Sequence, residues 1–206
     1  MADMQVSGNV VQGSQQQWFT RNSNIGSGVG GVWNMVYVGT PGAPESHCGN
    51  ANGTTPVSTV PSAPVVLEKP YIIADGSSYK LMRPKAEFNK VGHTAGWQNS
   101  DEIDFTQVYV ANEKDSAAII NSKLAEGLHL VLQPGIYHLE ESIKVTNADT
   151  VVLGMGMATL IPLNGTPAIE VSNVDGVRIA GVLLEAGQGA TESLLTFGQI
   201  GYAGSA

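Results

Sequence analysis

Glu102 and Asp104 stand two residues apart, a spacing that puts both carboxylates on one side of an extended strand. Paired acids on one face are what a glycosidase uses: one carboxyl protonates the leaving oxygen and the other activates water or attacks. Acids in a polar stretch are more often simply solvated, so this pair is a candidate and not yet a site. Glu140 and Glu141 are adjacent and would point to opposite faces of a strand, so they do not flank one bond. Glu185, with Asp175 a turn away, reads as a solvated corner. His47, His93, His129 and His138 show no metal-ligand spacing; on strand-like runs, exposed alternation accounts for the last two. Cys48 is the single cysteine, which excludes an internal disulfide and a cysteine-rich zinc site. Neither a metal nor a cofactor is expected.

Trp18, Trp33 and Trp97 carry a second chemistry. Indole rings beside amide and guanidinium groups make sugar-binding surfaces, where the apolar sugar face stacks and hydroxyls take hydrogen bonds. Gln15-Gln16-Gln17-Trp18-Phe19-Thr20-Arg21-Asn22 is such a mixture, so Trp18, Arg21, Trp33 and Trp97 join Glu102 and Asp104 as candidate substrate-binding residues. For Trp18 and Trp33 the plainer role is core or linker packing. Asn52-Gly53-Thr54 and Asn164-Gly165-Thr166 are glycosylation sequons, making Asn52 and Asn164 candidate modification sites.

Gly26-x-Gly28-x-x-Gly31 has the spacing of a dinucleotide fingerprint, which needs a buried strand before it and a helix after it. Polar Gln16, Gln17, Arg21 and Asn22 precede it and a β-like run follows, so a nucleotide site is rejected. Gly154-Met155-Gly156 lies between two strand-like runs and reads as a corner. No Gly-x-Ser-x-Gly elbow stands in the right context.

The elements that must hold these residues are strands. Hydrophobic residues make up 42% of the 206 residues and charged ones 14%, with 25 glycines and ten prolines. That balance disfavours helix bundles and favours an all-β chain with many tight turns. A net charge of −8 without a basic cluster argues against a nucleic-acid or anionic-membrane surface. No apolar run is long enough to span a membrane, and Met1-Ala2-Asp3-Met4-Gln5 is no secretory signal.

Short β runs are expected at Val6–Val11, Gln16–Thr20 and Val32–Val38, the last with both faces largely apolar and hence covered on both sides. Residues 41–69, with Pro41, Pro44, Pro56, Pro61 and Pro64, read as a long irregular segment without regular ladders, a length that marks either a functional loop or a linker. Strands are expected at Tyr71–Ala74, Tyr79–Met82 and Phe105–Ala111, with a polar stretch holding His93, Trp97 and Asp101 between the last two. One helix is expected over 116–126, capped by Asp115 and stopped by Gly127.

After it the chain consists of short strands, and a repeat appears. Asn147-Ala148-Asp149-Thr150-Val151-Val152-Leu153 aligns with Asn173-Val174-Asp175-Gly176-Val177-Arg178-Ile179 at a spacing of 26. Short strands at such a period signal a solenoid. The expected fold is all-β: a right-handed parallel β-helix with one capping helix and a long Pro-rich connection. In it Val151 should stack on Val177 and Leu153 beside Ile179, the repeated Asn should ladder, and Ile120 and Leu124 should cover the coil end at Leu130–Leu132. A final coil near Leu194–Phe197 without a following coil would expose apolar residues and unpaired backbone, so self-association through coil ends is expected.

Gly13-Ser14-Gln15-Gln16-Gln17-Trp18-Phe19-Thr20-Arg21-Asn22-Ser23 and Gly31-Val32-Trp33-Asn34-Met35-Val36-Tyr37-Val38-Gly39 resemble a group of large secreted microbial β-helix proteins. So do Glu68-Lys69-Pro70-Tyr71, Leu130–Leu139 and Asp149-Thr150-Val151-Val152-Leu153-Gly154. The group belongs to the pectate-lyase-like superfamily and is similar to glycoside hydrolase family 55, the β-1,3-glucanases. Its members resemble two β-helical lobes in tandem and are much longer. The resemblance therefore implies an internal piece of an extracellular protein: residues 1–40 as last coils of a first lobe, 41–114 as the Pro/Gly-rich connection, and 115–206 as the capping helix and first coils of a second lobe. It implies a polysaccharide partner, plausibly β-glucan. No position matches the family's general acid, so the catalytic residues are expected mostly or wholly outside this chain. A non-catalytic polysaccharide-binding or structural module is the alternative.

Overall fold

The computed structural model describes residues 1–13, 16–30, 33–50, 52–96 and 99–198. Gln15, Gly31, Val32, Trp97 and the tail from Gly201 lie outside the described residues. The chain divides into two compact units, one of Met1–Glu68 with Lys85–Asn99, the other of Lys69–Pro84 with Ser100–Ala206.

In the first unit, β1 (Gln5–Val11) pairs in parallel with β3 (Asn24–Val29), Gln5 opposite Asn24. β2 (Gln17–Arg21), β4 (Asn34–Val38) and β5 (Val57–Val60) form a parallel sheet in that order, Trp18 opposite Met35 and Met35 opposite Val57. Each strand pairs with one that lies a coil later in sequence, which is how successive turns of a β-helix stack. The buried interior is Ile25, Met35, Tyr37 and Val57, with Trp18 packed partly buried against it. Alternation decides this in β4: Met35 and Tyr37 point in, while Asn34, Val36 and Val38 are half-buried.

Two expectations fail here, for backbone reasons. The Gly26-Ser27-Gly28 stretch is not a gap between runs but part of β3. A Cβ on Gly26 would lie 2.7 Å from the Ser7 carbonyl oxygen, so the neighbouring coil approaches too closely for a side chain. The 41–69 segment is not without ladders, since β5 continues the parallel sheet. Pro56 has no N–H to give, but its carbonyl accepts from the Met35 N–H at 3.0 Å. β6 (Ala63–Val66) pairs antiparallel with a strand further on; β7 (Tyr71–Asp75) and β8 (Ser78–Pro84) intervene before that partner, β9 (Glu87–Lys90). Pro64 falls between the Ala63–Lys90 and Val65–Phe88 pairs of this two-stranded ribbon, where a missing donor is tolerated.

In the second unit, β7, β8 and β10 (Ser100–Asp104) form an antiparallel sheet with β8 central. Phe105–Gln107 is a 3₁₀ turn and not strand, because Asp104 caps it, so only Val108–Ala111 (β11) extends. β12 (His129–Leu132), β13 (Ile136–Leu139), β14 (Ile143–Val145), β15 (Val151–Pro162), β16 (Ile169–Val171), β17 (Arg178–Leu184) and β18 (Leu195–Phe197) complete the solenoid. β11, β12, β15 and β17 pair in parallel in succession, β13 pairs with β15, and β14, β16 and β18 stack as a second parallel ladder. β15 bends at the glycine corner, where Gly156 and Met157 have φ of 57° and 59° and the register shifts between Leu153 and Ala158.

The interior holds Leu130, Leu132, Tyr137, Leu139, Ile143, Val145, Val152, Leu160, Ile169 and Val171. The outer face of β11–β12–β15 is buried too: Val108, Val131, Val151 and Leu153 pack with Leu81 and Ile103 of the antiparallel sheet. This corrects the expected stacking. Val151 lies opposite Arg178, and Val152, not Leu153, lies opposite Ile179. The 26-residue register does hold at the turn, where the Asp149 N–H donates to the Asp175 carbonyl, but the later coil accommodates one extra residue before Arg178. A one-residue slip exchanges the faces, so Val177 joins the interior while Val151 faces outward. On the second ladder the period is kept, with Ile143 opposite Ile169 and Ile169 opposite Leu195. Leu195 and Phe197 continue the inward row and are 38% and 58% exposed, since no described strand stacks beyond them.

The α-helix α1 (Ala117–Ala125) buries Ala117, Ile120 and Leu124 into the interior cluster with Leu130 and Leu132, as a coil cap should. Its N-cap is Ser116, whose Oγ accepts from the Ile119 N–H at 3.3 Å, and not Asp115. Asp115 Oδ2 instead accepts from the Asn112 N–H and the Tyr109 hydroxyl, both at 3.0 Å, which bends the chain into the helix. Gly127, at φ 90°, ends it. Asn147 Nδ2 donates to the Leu124 carbonyl at 2.7 Å. This Asn amide thus caps the helix.

Candidate functional site

The candidate acids belong to the antiparallel sheet of the second unit, where both are exposed and each is engaged by a neighbour. Lys80 lies between Glu102 at 2.6 Å and Asp75 at 3.0 Å, and these two hydrogen-bonded carboxylates push its pKa up. Asp104 Oδ1 accepts from the Thr106 hydroxyl at 2.6 Å and the Thr106 N–H at 2.8 Å, and these bonds hold its carboxyl below the usual range. A general acid needs the opposite shift. Asp104 is thus not poised to protonate a glycosidic oxygen, and Glu102 is paired with Lys80.

The aromatic and basic candidates belong to the first unit and separate by role. Arg21 makes a two-pronged pair with Glu68, Nη1 to Oε1 at 2.5 Å and Nη2 to Oε2 at 3.0 Å, and this carboxylate raises its pKa further. Its fork is already filled. Trp18 donates Nε1–H to Thr20 Oγ1 at 2.8 Å, with its ring against the core. Trp33 is different: its side chain is 71% exposed and borders a cleft of about 490 Å³. Trp97 lies outside the described residues. Asn52 is exposed in a turn ordered by Asn50, whose Oδ1 accepts from the N–H groups of Asn52 and Thr54. Asn164 is exposed, and its Nδ2 donates to the Glu140 carbonyl at 2.8 Å.

The cleft is built where β3, β4 and β5 meet the loop that precedes β5. Met35 and Val57 supply apolar floor, with Gly28, Gly30 and Pro44 beside them, and His47, Thr54 and Thr55 supply polar wall. Gly30 packs closely on the floor, since a Cβ there would come within 2.7 Å of Met35 Sδ and displace that flexible side chain. His47 is held by a two-way bridge, donating its N–H to the Val57 carbonyl at 3.0 Å and accepting the Val57 N–H at 2.9 Å. Sequence reasoning missed His47 and the two threonines as site residues. Their signal was the length of the irregular 41–69 segment, but only the fold folds that loop back onto Val57 and hence beside Trp33. His129 is also unlike its expectation: it is half-buried, and its Nδ1 accepts from the Val151 N–H at 3.1 Å.

Parallel coils and a helix over the coil end define the class: the chain is a parallel β-helix. Residues 108–205 match the family model described as LAM55 pectate lyase-like domain. Over 99% of its length the chain is 39% identical to an exo-beta-1,3-glucanase of Streptomyces sp. (strain SirexAA-E / ActE), of which it covers 33%. It is similar in structure to sacteLam55A from Streptomyces sp. SirexAA-E, with a TM-score of 0.90 at 39% identity, covering 99% of this chain and 37% of that one. A variant of sacteLam55A refined in complex with glucose gives a TM-score of 0.91 at the same identity, over 98% of this chain and 36% of that one. The chain thus spans about a third of the length of the relatives it matches.

Proposed function

We propose that this chain is part of a secreted glycoside hydrolase acting on β-1,3-glucan, to which it contributes coils of scaffold and a sugar-contacting surface. The observation that carries the reading is the 39% identity, sustained over 99% of the chain, to an exo-β-1,3-glucanase. In this reading the hydrolytic carboxylates belong mostly or wholly to the part of the protein outside these 206 residues, since the chain spans a third of its glucanase relative; the engagement of Glu102 with Lys80 and of Asp104 with Thr106 supports this. Among the expected substrate-binding residues that the structure describes, Trp33 borders a cleft with its side chain exposed. The same commitment of the acids favours a second reading, a non-catalytic polysaccharide-binding module.

The test compares the longer protein with this chain alone on laminarin, following released glucose and retention on immobilised glucan. Glucose release by the longer protein, with retention but no release by the chain, is the expected result. Retention without release by both would favour the binding module and sink the hydrolase reading. Extracellular placement belongs to the same reading and rests on its similarity to the glucanase. Self-association rests on the exposed inward residues Leu195 and Phe197; light scattering at several concentrations tests it, and a concentration-independent monomer would refute it.

A further inference from the structure

Trp33, at 71%, is more exposed than any other large apolar side chain among the described residues. Leaving an indole in water forgoes a large burial gain, and the unit does not use it for packing: Ile25, Met35, Tyr37 and Val57 close the core without it. The cleft volume, about 490 Å³, falls in the ~300–1,000 Å³ range of small-molecule sites.

The polar wall has a defined hydrogen-bond sense. His47 Nδ1 accepts the Gly49 N–H at 3.1 Å, so the neutral imidazole carries its proton on Nε2. The ring is therefore a donor on its far side, on a backbone locked by the bridge to Val57. Thr54 and Thr55 line the same cleft. A flat π face, an N–H donor and hydroxyl-bearing side chains around an open, uncharged space match a neutral pyranose, whose C–H face stacks and whose equatorial hydroxyls are bonded from the side. They do not match a phosphate or a carboxylate, since no Lys or Arg is among the described residues that line the cleft.

We infer that this cleft is a glucosyl-binding subsite in which Trp33 is the stacking platform and the His47 Nε2–H is a donor to a sugar hydroxyl. The choice of a β-1,3-linked glucan as its ligand rests on the function proposed above; the saccharide chemistry of the cleft does not. A bare stacking surface would accept any glucan. The fixed donor at its edge is what discriminates the orientation of the ring.

The experiment titrates the full chain with laminaripentaose, and with maltopentaose as the α-linked counterpart, by isothermal calorimetry. W33A should weaken laminaripentaose binding about tenfold or more. W33F, which keeps an aromatic face, should lose less. H47A should weaken it by roughly three- to tenfold, and H47Q, which keeps an N–H donor, should recover most of that. F88A, a comparably exposed aromatic outside the cleft, should bind as the unmodified chain does. Circular dichroism confirms that each variant is folded. Unchanged laminaripentaose affinity in both W33A and H47A would overturn the subsite while leaving the glucan reading standing. Binding of neither pentaose by the unmodified chain would also overturn the subsite. Maltopentaose preferred, and lost in W33A, would uphold the cleft as a saccharide subsite and overturn the β-1,3-glucan reading.

Discussion

Leu124 is the residue on which the helical cap turns. It is 2% exposed, against 46% for Ile119 on the same helix, and it shares the interior with Ile120, Leu130 and Leu132. Leu124→Ala removes three carbons, about 2.4 kcal/mol of transfer free energy at ~0.8 per buried methylene. The hole left against Leu130 and Leu132 adds a cavity term of ~24 cal/mol per Å³, so a residual void of roughly 40 Å³ adds about 1 kcal/mol. The sum, ~3 kcal/mol, lies inside the ~2–5 kcal/mol found for buried leucines. The helix is short and its packing, not its propensity, holds it, so this loss should fall on the cap as a whole. Urea unfolding followed by far-ultraviolet circular dichroism reads it: with a slope of ~2 kcal/mol/M the midpoint should drop by roughly 1.5 M. Ile119→Ala should shift it by no more than about 0.3 M. Leu124→Asp should exceed both, because an unpaired carboxylate enters the core. Equal shifts for Leu124→Ala and Ile119→Ala, or none for either, would refute the argument that the helix is a cap.

Other outcomes can be stated more briefly. Burial, with Arg83 nearby, pushes the His129 pKa below its ordinary 6.5, so the native state favours neutral imidazole, whose Nδ1 accepts the Val151 N–H. The unfolded chain then binds the extra proton first. The stabilisation is complete above about pH 6.5 and is lost as pH falls through the lower folded value, so unfolding midpoints of the wild type should drop there relative to His129→Gln; parallel profiles would contradict this. A double-mutant cycle on Arg21 and Glu68 should give a coupling of about 1 kcal/mol, since the pair is two-pronged but partly exposed; a coupling near zero would show that water screens it fully. Tyr137→Phe keeps a ring that is 1% exposed but removes the hydroxyl that lies 3.0 Å from the Ala111 carbonyl and 2.9 Å from that of Gln133, costing about 1–2 kcal/mol by thermal or urea unfolding. No change would mean that those carbonyls find water instead.

Local chemistry was written in the sequence wherever a residue acts through its immediate neighbours. Gly127 stops the helix because a positive φ is cheap only for glycine, and that needs no tertiary information. The alternation of Ile143, Lys144 and Val145, repeated in Ile169, Glu170 and Val171, set strand, face and period together, because side chains alternate strictly along an extended backbone. The exposed indole of Trp33 could likewise be flagged by residue type. What only the tertiary structure decided depends on partners distant in the chain. Pro56 suits a loop by its missing donor, yet its carbonyl serves a neighbouring coil. Val151 and Leu153 carry the pattern of inward residues, but they face out beneath Leu81 and Ile103, because a sheet from far upstream covers that face, and one residue added before Arg178 puts Val177 on the other face. Glu102 and Asp104 have the spacing of a catalytic pair, but Lys80 on the hairpin strand engages the first and the turn at Thr106 holds the second as a charged cap. His47 reaches the side of Trp33 only through its bridge to Val57. A strand's own period is a property of its backbone. What covers each face, and which loop returns to it, is set by non-local pairing, and for that the sequence carries no local mark.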